Sequence, residues 1–218
     1  MNQEDTGVAS PPKGRHPIPR PFFERPPEIV APQLLGKLLA HHTQQGWLAG
    51  RIVELEAYLG PHNDPPDPAS HSFRGPTPRN AVMFGAPGHA YVYFIYGMYF
   101  CMNVTCEPPG KAGCILVRAL EPVLGRDTMA HNRDLPLTAP DRKLTAGPGL
   151  LCQALGLNRP HHNGLDLLSP QSPLRLFNDD WAPPEIKVTP RIGIRNAVDL
   201  PLRFHIANNP SVSRARRV

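Results

Sequence analysis

The chain has 218 residues, 40% of them apolar, which suits one domain with a buried core. It lacks a transmembrane run of roughly 18 apolar residues and an apolar leader in its first 27 residues, so a cytoplasmic protein without membrane contact is expected. The net charge of +5 reflects 23 basic residues against 18 acidic ones, and 18 of the basic residues are arginines. Because arginine binds phosphate in a forked geometry, this favours a nucleic-acid-binding face, although a GC-rich genome would give the same composition.

The predicted elements form a single α+β domain over residues 27–213. Residues 1–26, rich in proline and arginine, are predicted to be a disordered tail, and residues 214–218 a basic tail. A first helix over 28–35 is followed by Gly36, which suits a left-handed cap. A mainly antiparallel sheet follows from strands predicted at 38–43, 47–58, 90–95, 99–105, 113–120, 174–177, 187–189 and 202–206. Further helices are predicted at 123–133 and 149–155.

The strand over 47–58 carries two acidic residues and a tyrosine on one face. Because side chains alternate along a strand, Glu54, Glu56 and Tyr58 share one side, and the apolar residues between them form a core face. Two carboxylates beside an aromatic ring are costly unless water reaches them. The pattern therefore allows two interpretations, a solvated polar face with Tyr58 lying along it, or a functional site.

The next segments supply a histidine and several aromatic rings. The proline-rich loop over 61–78 contains His71, which gains a role only if this loop folds over the strand of Glu56. The strand over 90–95 has aromatic rings on both faces, with Tyr91 and Tyr93 on the same side. Tyr96 follows at a bend, where an exposed ring could insert between bases. Aromatic filling of the core is the alternative interpretation.

Two polar residues interrupt strands that are otherwise apolar. Asn103 lies in the strand over 99–105 and Arg118 in the strand over 113–120. Asn103 could contact the edge of a base, and Arg118 could pair with a carboxylate or bind a phosphate. Satisfying a buried neighbour is the commoner role for such residues.

The cysteine and histidine spacings argue against a metal centre. The four cysteines form no Cys-x-x-Cys pair and lie among apolar residues, which favours buried free thiols over metal ligands. The ten histidines include no His-Glu-x-x-His motif and no zinc-finger spacing. Phosphate-binding glycine loops and a serine hydrolase elbow are also missing. The sequence therefore predicts neither a metal nor a cofactor.

Several blocks, in their order and spacing, resemble the 3-methyladenine (alkyladenine) DNA glycosylase family, the purine glycosylases of mammals and bacteria. The likeness runs from about residue 30 to residue 213. The main blocks are Gly50-Arg-Ile-Val-Glu-Leu-Glu-Ala-Tyr-Leu-Gly-Pro61, Ala69-Ser-His-Ser72, Thr77-Pro-Arg-Asn80, Ala90-Tyr-Val-Tyr-Phe-Ile-Tyr-Gly-Met-Tyr-Phe-Cys-Met-Asn103, Cys114-Ile-Leu-Val-Arg-Ala-Leu-Glu-Pro122 and Arg191-Ile-Gly-Ile194.

The resemblance implies an open antiparallel barrel with surrounding helices and a protruding hairpin that inserts into DNA. It also implies that Glu56 activates water, held by Arg118 and the main-chain carbonyl of Ile194. No lysine occurs between Lys37 and Lys111, so no amine is evident for a Schiff base. A monofunctional enzyme that leaves an abasic site is therefore expected.

The resemblance further implies a pocket for a flipped base. Tyr58, His71 and Tyr93 match the rings that stack on the extruded base, and Tyr96 matches the residue that fills the gap in the duplex. Asn103 matches the residue that disfavours guanine by crowding its exocyclic amine. The expected partner is double-stranded DNA with damaged purines, of the 3-methyladenine, 7-methylguanine, hypoxanthine and ethenoadenine class. We expect a monomer, associated with the nucleoid if the source is bacterial.

Two other functions remain open at the level of the sequence. The same rings could stack on bases in a nucleic-acid-binding protein without chemistry, and release of free base from alkylated DNA would distinguish the two. A metal-dependent hydrolase built from the histidines is the second alternative, although their spacing argues against it. Activity that survives a strong chelator would exclude it.

Overall fold

An open antiparallel sheet organises the protein, whose computed structural model describes residues 15–214. The strands are β1 (His16–Pro17), β2 (Leu38–Thr43), β3 (Gly46–Tyr58), β4 (Ala90–Ile95), β5 (Tyr99–Cys106), β6 (Gly113–Leu124), β7 (Leu174–Asn178), β8 (Ile186–Thr189) and β9 (Arg203–Ile206). Their order is β1-β7-β2-β3-β6-β5-β4, with β9 joined to β3 and β8 to β9. Within the described residues β1 and β4 do not pair, so the sheet remains unclosed.

Five short helices accompany the sheet in the described part of the chain. They are α1 (Pro27–Leu34), α2 (Arg126–Asn132), α3 (Asp141–Thr145), α4 (Pro148–Ala154) and α5 (Arg159–His162). Helix α1 buries Val30 and Leu34 in the main core, and α4 adds Leu151 and Cys152. Between residues 15 and 214, no helix combines the length and apolar character needed to cross a bilayer.

The central strand β3 confirms the alternation predicted from the sequence. Val53, Leu55 and Ala57 are fully buried in the core, as expected for its apolar face. Gly36 follows α1 with a φ of 84°, in the left-handed region predicted for a cap. The four cysteines are all free and buried, which confirms the prediction of thiols within the core.

The predicted N-terminal tail is too long, because part of it packs on the fold. Phe23 is fully buried and Ile18 nearly so, and both belong to the main core. His16 and Pro17 pair with β7 at the edge of the sheet. Two apolar anchors are therefore enough to order a proline-rich segment, since an extended backbone can join a sheet edge. Residues 1–14 and 215–218 of the predicted tails lie outside the described residues.

The helix predicted at 123–133 is wrong in its first residues. Strand β6 continues to Leu124, because Leu124 pairs with Ala49 of β3. Gly125, with a φ of 73°, then ends the strand and precedes α2. The local sequence favoured a helix, but pairing with a distant strand extends β6. Helices α3 and α5 were not predicted.

Strands β4 and β5 form a hairpin whose tip projects from the sheet. Ile95 pairs with Tyr99, and the turn between them contains Tyr96 and Gly97 with φ values of 54° and 69°. A positive φ costs glycine little but is uncommon for tyrosine. The tip, residues 96–98, is exposed, with 79% of Tyr96 and 67% of Met98 accessible to solvent.

Candidate active site

The polar face of β3 is buried, so the interpretation as a solvated face is wrong. Glu54 and Glu56 are both inaccessible to solvent. Strand β9 pairs with β3 in the same sheet, with Glu56 in register with Arg203 and Glu54 with His205. Irregularities in the β3–β6 pairing flank Glu54, where the ladder shifts by a residue. Two carboxylates without water need charged partners, and the structure supplies them.

Glu56 accepts hydrogen bonds on both of its oxygens. Its Oε1 lies 2.7 Å from the main-chain nitrogen of Ile192 and 3.2 Å from Nη1 of Arg118. Its Oε2 accepts a hydrogen bond of 2.9 Å from the Tyr58 hydroxyl. Oε1 is thus fixed by two donors, one of them charged, and Oε2 by a single neutral donor. Burial, and next the charge of Glu56, raise the pKa of Tyr58, so the hydroxyl remains a donor.

Glu54 is bound more tightly and connects two arginines. Its Oε1 lies 2.9 Å from Nε of Arg118 and 2.7 Å from Nε of Arg203. Ser213 donates its main-chain N–H to Oε2 at 2.7 Å and its hydroxyl to Oε1 at 2.8 Å. Burial alone would raise the pKa of Glu54, but the charges of Arg118 and Arg203 outweigh it and lower that pKa. We call Glu54, Glu56, Arg118 and Arg203 the carboxylate network.

Arg118 joins the two carboxylates of this network. Its Nε contacts Glu54 while its Nη1 contacts Glu56, and only 9% of its side chain is accessible. Burial opposes the charged form, but Glu56 and then Glu54 raise the pKa of Arg118. Two carboxylates and two guanidinium groups therefore give the network no net charge. Such balance is what makes a buried set of ions tolerable.

A second buried ion pair ties the long loop to the site. Arg191 binds both oxygens of Asp67, at 2.6 and 2.9 Å, and both side chains are inaccessible. The same guanidinium donates to the Ala57 carbonyl at 3.0 Å and lies 4.6 Å from the centre of the Tyr58 ring. The pair therefore fixes the loop against β3 and supports the ring of Tyr58.

Aromatic rings line the space beside Glu56. Tyr58 and Tyr93 pack against a cluster that includes the buried Tyr91 and Met83. The ring of His71 lies 4.5 Å from that of Tyr93, and its Nδ1 is 2.9 Å from the Tyr91 hydroxyl. His71 therefore lies against β4, and the pair of Asp67 and Arg191 anchors the same loop beside Ala57 of β3. Partial desolvation, and then the charge of Arg79, lower the pKa of His71 and favour its neutral form.

The two remaining predicted pocket residues, Asn103 and Ile194, do not hydrogen-bond to Glu56 directly. Asn103 is 3% exposed and donates to the Tyr91 carbonyl at 3.0 Å, and its Oδ1 accepts a weak hydrogen bond from Cys114 at 3.7 Å. It therefore satisfies buried neighbours behind the aromatic cluster. Ile194 is half-buried, and the hydrogen bond to Glu56 comes from Ile192, two residues earlier.

The structure brings together Glu56, Tyr58, His71, Tyr93 and Arg118, whereas Tyr96 lies apart on the hairpin tip. Sequence reasoning assigned no role to several residues of the site. These are Glu54, Asp67, Arg191, Ile192, Arg203 and Ser213. The signal for the ionised residues was charge near apolar segments, whereas Ile192 and Ser213 act through main-chain N–H groups that no sequence pattern marks. In the described part of the chain, no group of three or more His, Cys, Asp or Glu side chains is arranged to hold a metal ion.

Comparisons with known proteins consistently match one family. The family model of methylpurine-DNA glycosylase (MPG) matches residues 21–210. A protein of Koribacter versatilis is 52% identical over 200 residues, which cover 92% of this chain and 94% of the relative. One of Burkholderia orbicola is 47% identical over 199 residues, 91% of each chain, and one of Methanoculleus marisnigri is 46% identical over 205 residues, 90% of this chain and 98% of the relative. All three are named for a 3-methyladenine DNA glycosylase activity.

Proposed function

Because this chain belongs to the methylpurine-DNA glycosylase family, we propose that Glu56 activates the water that displaces a damaged purine from DNA. The chain is a hydrolase of N-glycosidic bonds, and DNA is its substrate. The observation that carries the proposal is a buried carboxylate, Glu56, bound by Arg118 and by the hydroxyl of Tyr58 beside an aromatic cluster. A carboxylate in such surroundings can act where positive charge develops.

The damaged nucleotide must leave the duplex before Glu56 can reach its sugar, because stacking shields the glycosidic bond. Tyr96 is the ring best suited to fill the gap, since it is 79% exposed at the tip of a hairpin. The pocket then consists of Tyr58, His71 and Tyr93. Stacking returns roughly 1–3 kcal/mol per base and ring, which offsets the few kcal/mol of unstacking.

The pocket favours electron-poor purines through its ring faces. Aromatic faces attract cations, so alkylated purines such as 3-methyladenine and 7-methylguanine are the first substrates we propose. Neutral hypoxanthine and ethenoadenine belong to the same class of lesions. We assign Asn103 to the exclusion of undamaged guanine, whose exocyclic amine would meet a buried amide already bound to the Tyr91 carbonyl.

The chemical step resembles glycoside hydrolysis, in which positive charge builds up on the sugar as the base departs. Oε2 of Glu56, held by one neutral donor, accepts the proton of the attacking water, while Arg118 and the Ile192 amide hold Oε1. The carbonyl of Ile194 is the further contact we assign to that water. The products are a free base and an abasic site, formed by a monomer without strand cleavage.

The test is release of free base from a panel of duplexes, each with a single damaged purine. Glu56→Gln should bind these duplexes but release base several orders of magnitude more slowly, because the amide cannot accept the proton. Glu185→Gln, at an exposed glutamate, is the matched control and should behave as the wild type. Wild-type turnover by Glu56→Gln would refute the assignment. Loss of activity in a strong chelator would favour a metal-dependent hydrolase.

A further inference from the structure

A groove follows the free edge of β4, next to the aromatic pocket but outside it. It consists of two adjoining hollows of about 470 and 330 Å³, within the range of ligand sites. We call it the edge groove; both hollows contain Phe94 and Arg159. Its lining residues are Pro78, Arg79, Tyr93, Phe94, Phe100, Arg159, Pro160 and Asn163.

The edge groove connects the two faces of β4. Tyr93 points into the aromatic pocket, where it contacts His71, whereas Phe94 points to the other face and contacts Phe100 with ring centres 5.1 Å apart. Strand β4 ends the path of the sheet in the described residues, so a ligand can cross its edge from one face to the other. Phe94 is 48% exposed, which leaves part of its ring available for stacking.

Two arginines give the edge groove a positive charge that no carboxylate in the described part of the chain pairs with. Arg79 and Arg159 are both exposed, and neither forms an ion pair with a carboxylate of residues 15–214. Arg79 lies over the ring of Tyr93 at 5.5 Å. Arg159 is the first residue of α5. Directly after this helix, the side chain of Asn163 accepts a hydrogen bond of 2.9 Å from the Val92 N–H, which joins the helix to β4. Both arginines line the hollow that Tyr93 and Phe94 form at the edge of β4.

We infer that the edge groove binds the nucleotide adjacent to the damaged one on the same DNA strand. Its phosphate would lie between Arg79 and Arg159, and its base or sugar would contact Phe94. A strand whose damaged base stacks on Tyr93 has to leave the pocket, and the groove that begins at Tyr93 offers two exposed guanidinium groups and an exposed ring. The inference rests on the proposed function, since it takes the aromatic cluster as the pocket for the damaged base.

The first experiment removes one charge from each partner. Affinity is measured with lesion duplexes whose damaged nucleotide carries a 2′-fluoro group to retain the base. Each duplex has either normal phosphates or one neutral methylphosphonate, placed on the 5′ or the 3′ side of the lesion. Arg159→Ala should weaken binding about tenfold to the normal duplex, with a salt slope smaller by about 0.9. When the neutral methylphosphonate replaces the phosphate that binds in the groove, Arg159→Ala and the wild type should bind the duplex with equal affinity.

The controls separate this site from general electrostatics. Arg175→Ala removes a cation from β7, toward the other end of the sheet, and its effect should not depend on which flanking phosphate is neutral. Phe94→Leu should lose affinity for the normal duplex but not for one with an abasic spacer in place of the neighbouring nucleotide. Circular dichroism and thermal unfolding should show both groove variants folded as the wild type.

The inference is overturned if the loss caused by Arg159→Ala is the same at both neutral phosphates as in the normal duplex. Release of base by the wild type is measured on the matching duplexes without the 2′-fluoro group. If the wild type releases base but the effect of Arg159→Ala depends on neither flanking phosphate, the inference about the edge groove is refuted and the proposed function is retained. If the wild type releases no base, the proposed function fails whatever the groove binds.

Discussion

The carboxylate network and the hairpin tip are the two regions to which we propose functions, and they differ in burial, charge and bonding. Glu54 and Glu56 are inaccessible and bound by several donors, whereas Tyr96 is 79% exposed on a turn. The charged groups of the network are bound to one another within the protein itself. The tip has surface that only a partner can bury. In the proposed function, the carboxylate that carries the chemistry is preorganised by the fold, whereas the ring that enters the duplex is exposed.

This difference has an energetic origin. Buried ions are stable only as a balanced set, so each member of the network contributes to stability, and removing one partner of a buried pair costs about 3–5 kcal/mol. An exposed side chain contributes little to folding, and substitutions there usually change stability by less than about 0.5 kcal/mol. Substitutions in the two regions should therefore separate stability from binding.

The largest effect on stability is expected from Glu54→Gln. The substitution removes one negative charge and leaves the buried Arg118 and Arg203 with a single carboxylate, Glu56. We expect the free energy of unfolding to fall by about 3–5 kcal/mol, measured by urea unfolding. Glu121→Gln, on β6 outside the network, is the control and should cost less than about 1 kcal/mol. Equal losses in the two variants would contradict a special role of the network.

The same carboxylate predicts how stability depends on pH. The pKa of Glu54 in the folded protein lies below its ordinary value of 4.5. In this pH range the folded protein therefore binds fewer protons than the unfolded chain does. Its contribution is complete above pH 4.5 and is lost as the pH falls through the folded pKa. Between pH 6 and pH 3, thermal unfolding should show a shallower acid loss for Glu54→Gln than for the wild type. Parallel curves would mean that Glu54 is not the titrating group.

Eight of the nine described strands were predicted from the sequence, whereas β1 and the partners of the site were not. Alternation along β3 is a local property, and it identified Glu54, Glu56 and Tyr58 as one face. What covers that face comes from far along the chain. Arg203 and Ser213 are 149 and 159 residues away from Glu54, and no periodicity encodes such a contact.

The loop over 61–78 shows the same limit. The length of this loop indicated a function, and a role for His71 was expected only if the loop folded over the strand of Glu56. The contact that fulfils this condition is the pair of Asp67 with Arg191, 124 residues apart. The tail was misjudged for a related reason, because the burial of Phe23 depends on a core built from later segments. Composition describes a segment but not the surface on which it can dock.

The hairpin tip should respond in the opposite way to the network. Tyr96→Ala should leave the free energy of unfolding within about 0.5 kcal/mol of the wild type. Affinity for lesion duplexes should fall about 10-fold to 100-fold, because the ring no longer fills the gap left by the flipped nucleotide. Tyr96→Phe keeps the ring and should recover most of the affinity. Unchanged binding by Tyr96→Ala, measured by fluorescence anisotropy, would remove this residue from the insertion.

The smallest effect on activity is expected from a substitution of Asn103. This residue is buried like the carboxylate network but uncharged like the hairpin tip. Asn103→Ser shortens the side chain and loses the hydrogen bond to the Tyr91 carbonyl, at a cost of about 1 kcal/mol in stability. Guanine release from undamaged DNA should rise by up to about tenfold, because steric exclusion of one small group discriminates only modestly. Release of 3-methyladenine should change less, so the ratio of the two rates is the readout. A ratio equal to that of the wild type would assign Asn103 to the support of Tyr91 alone, and guanine would then have to be excluded by the rings themselves.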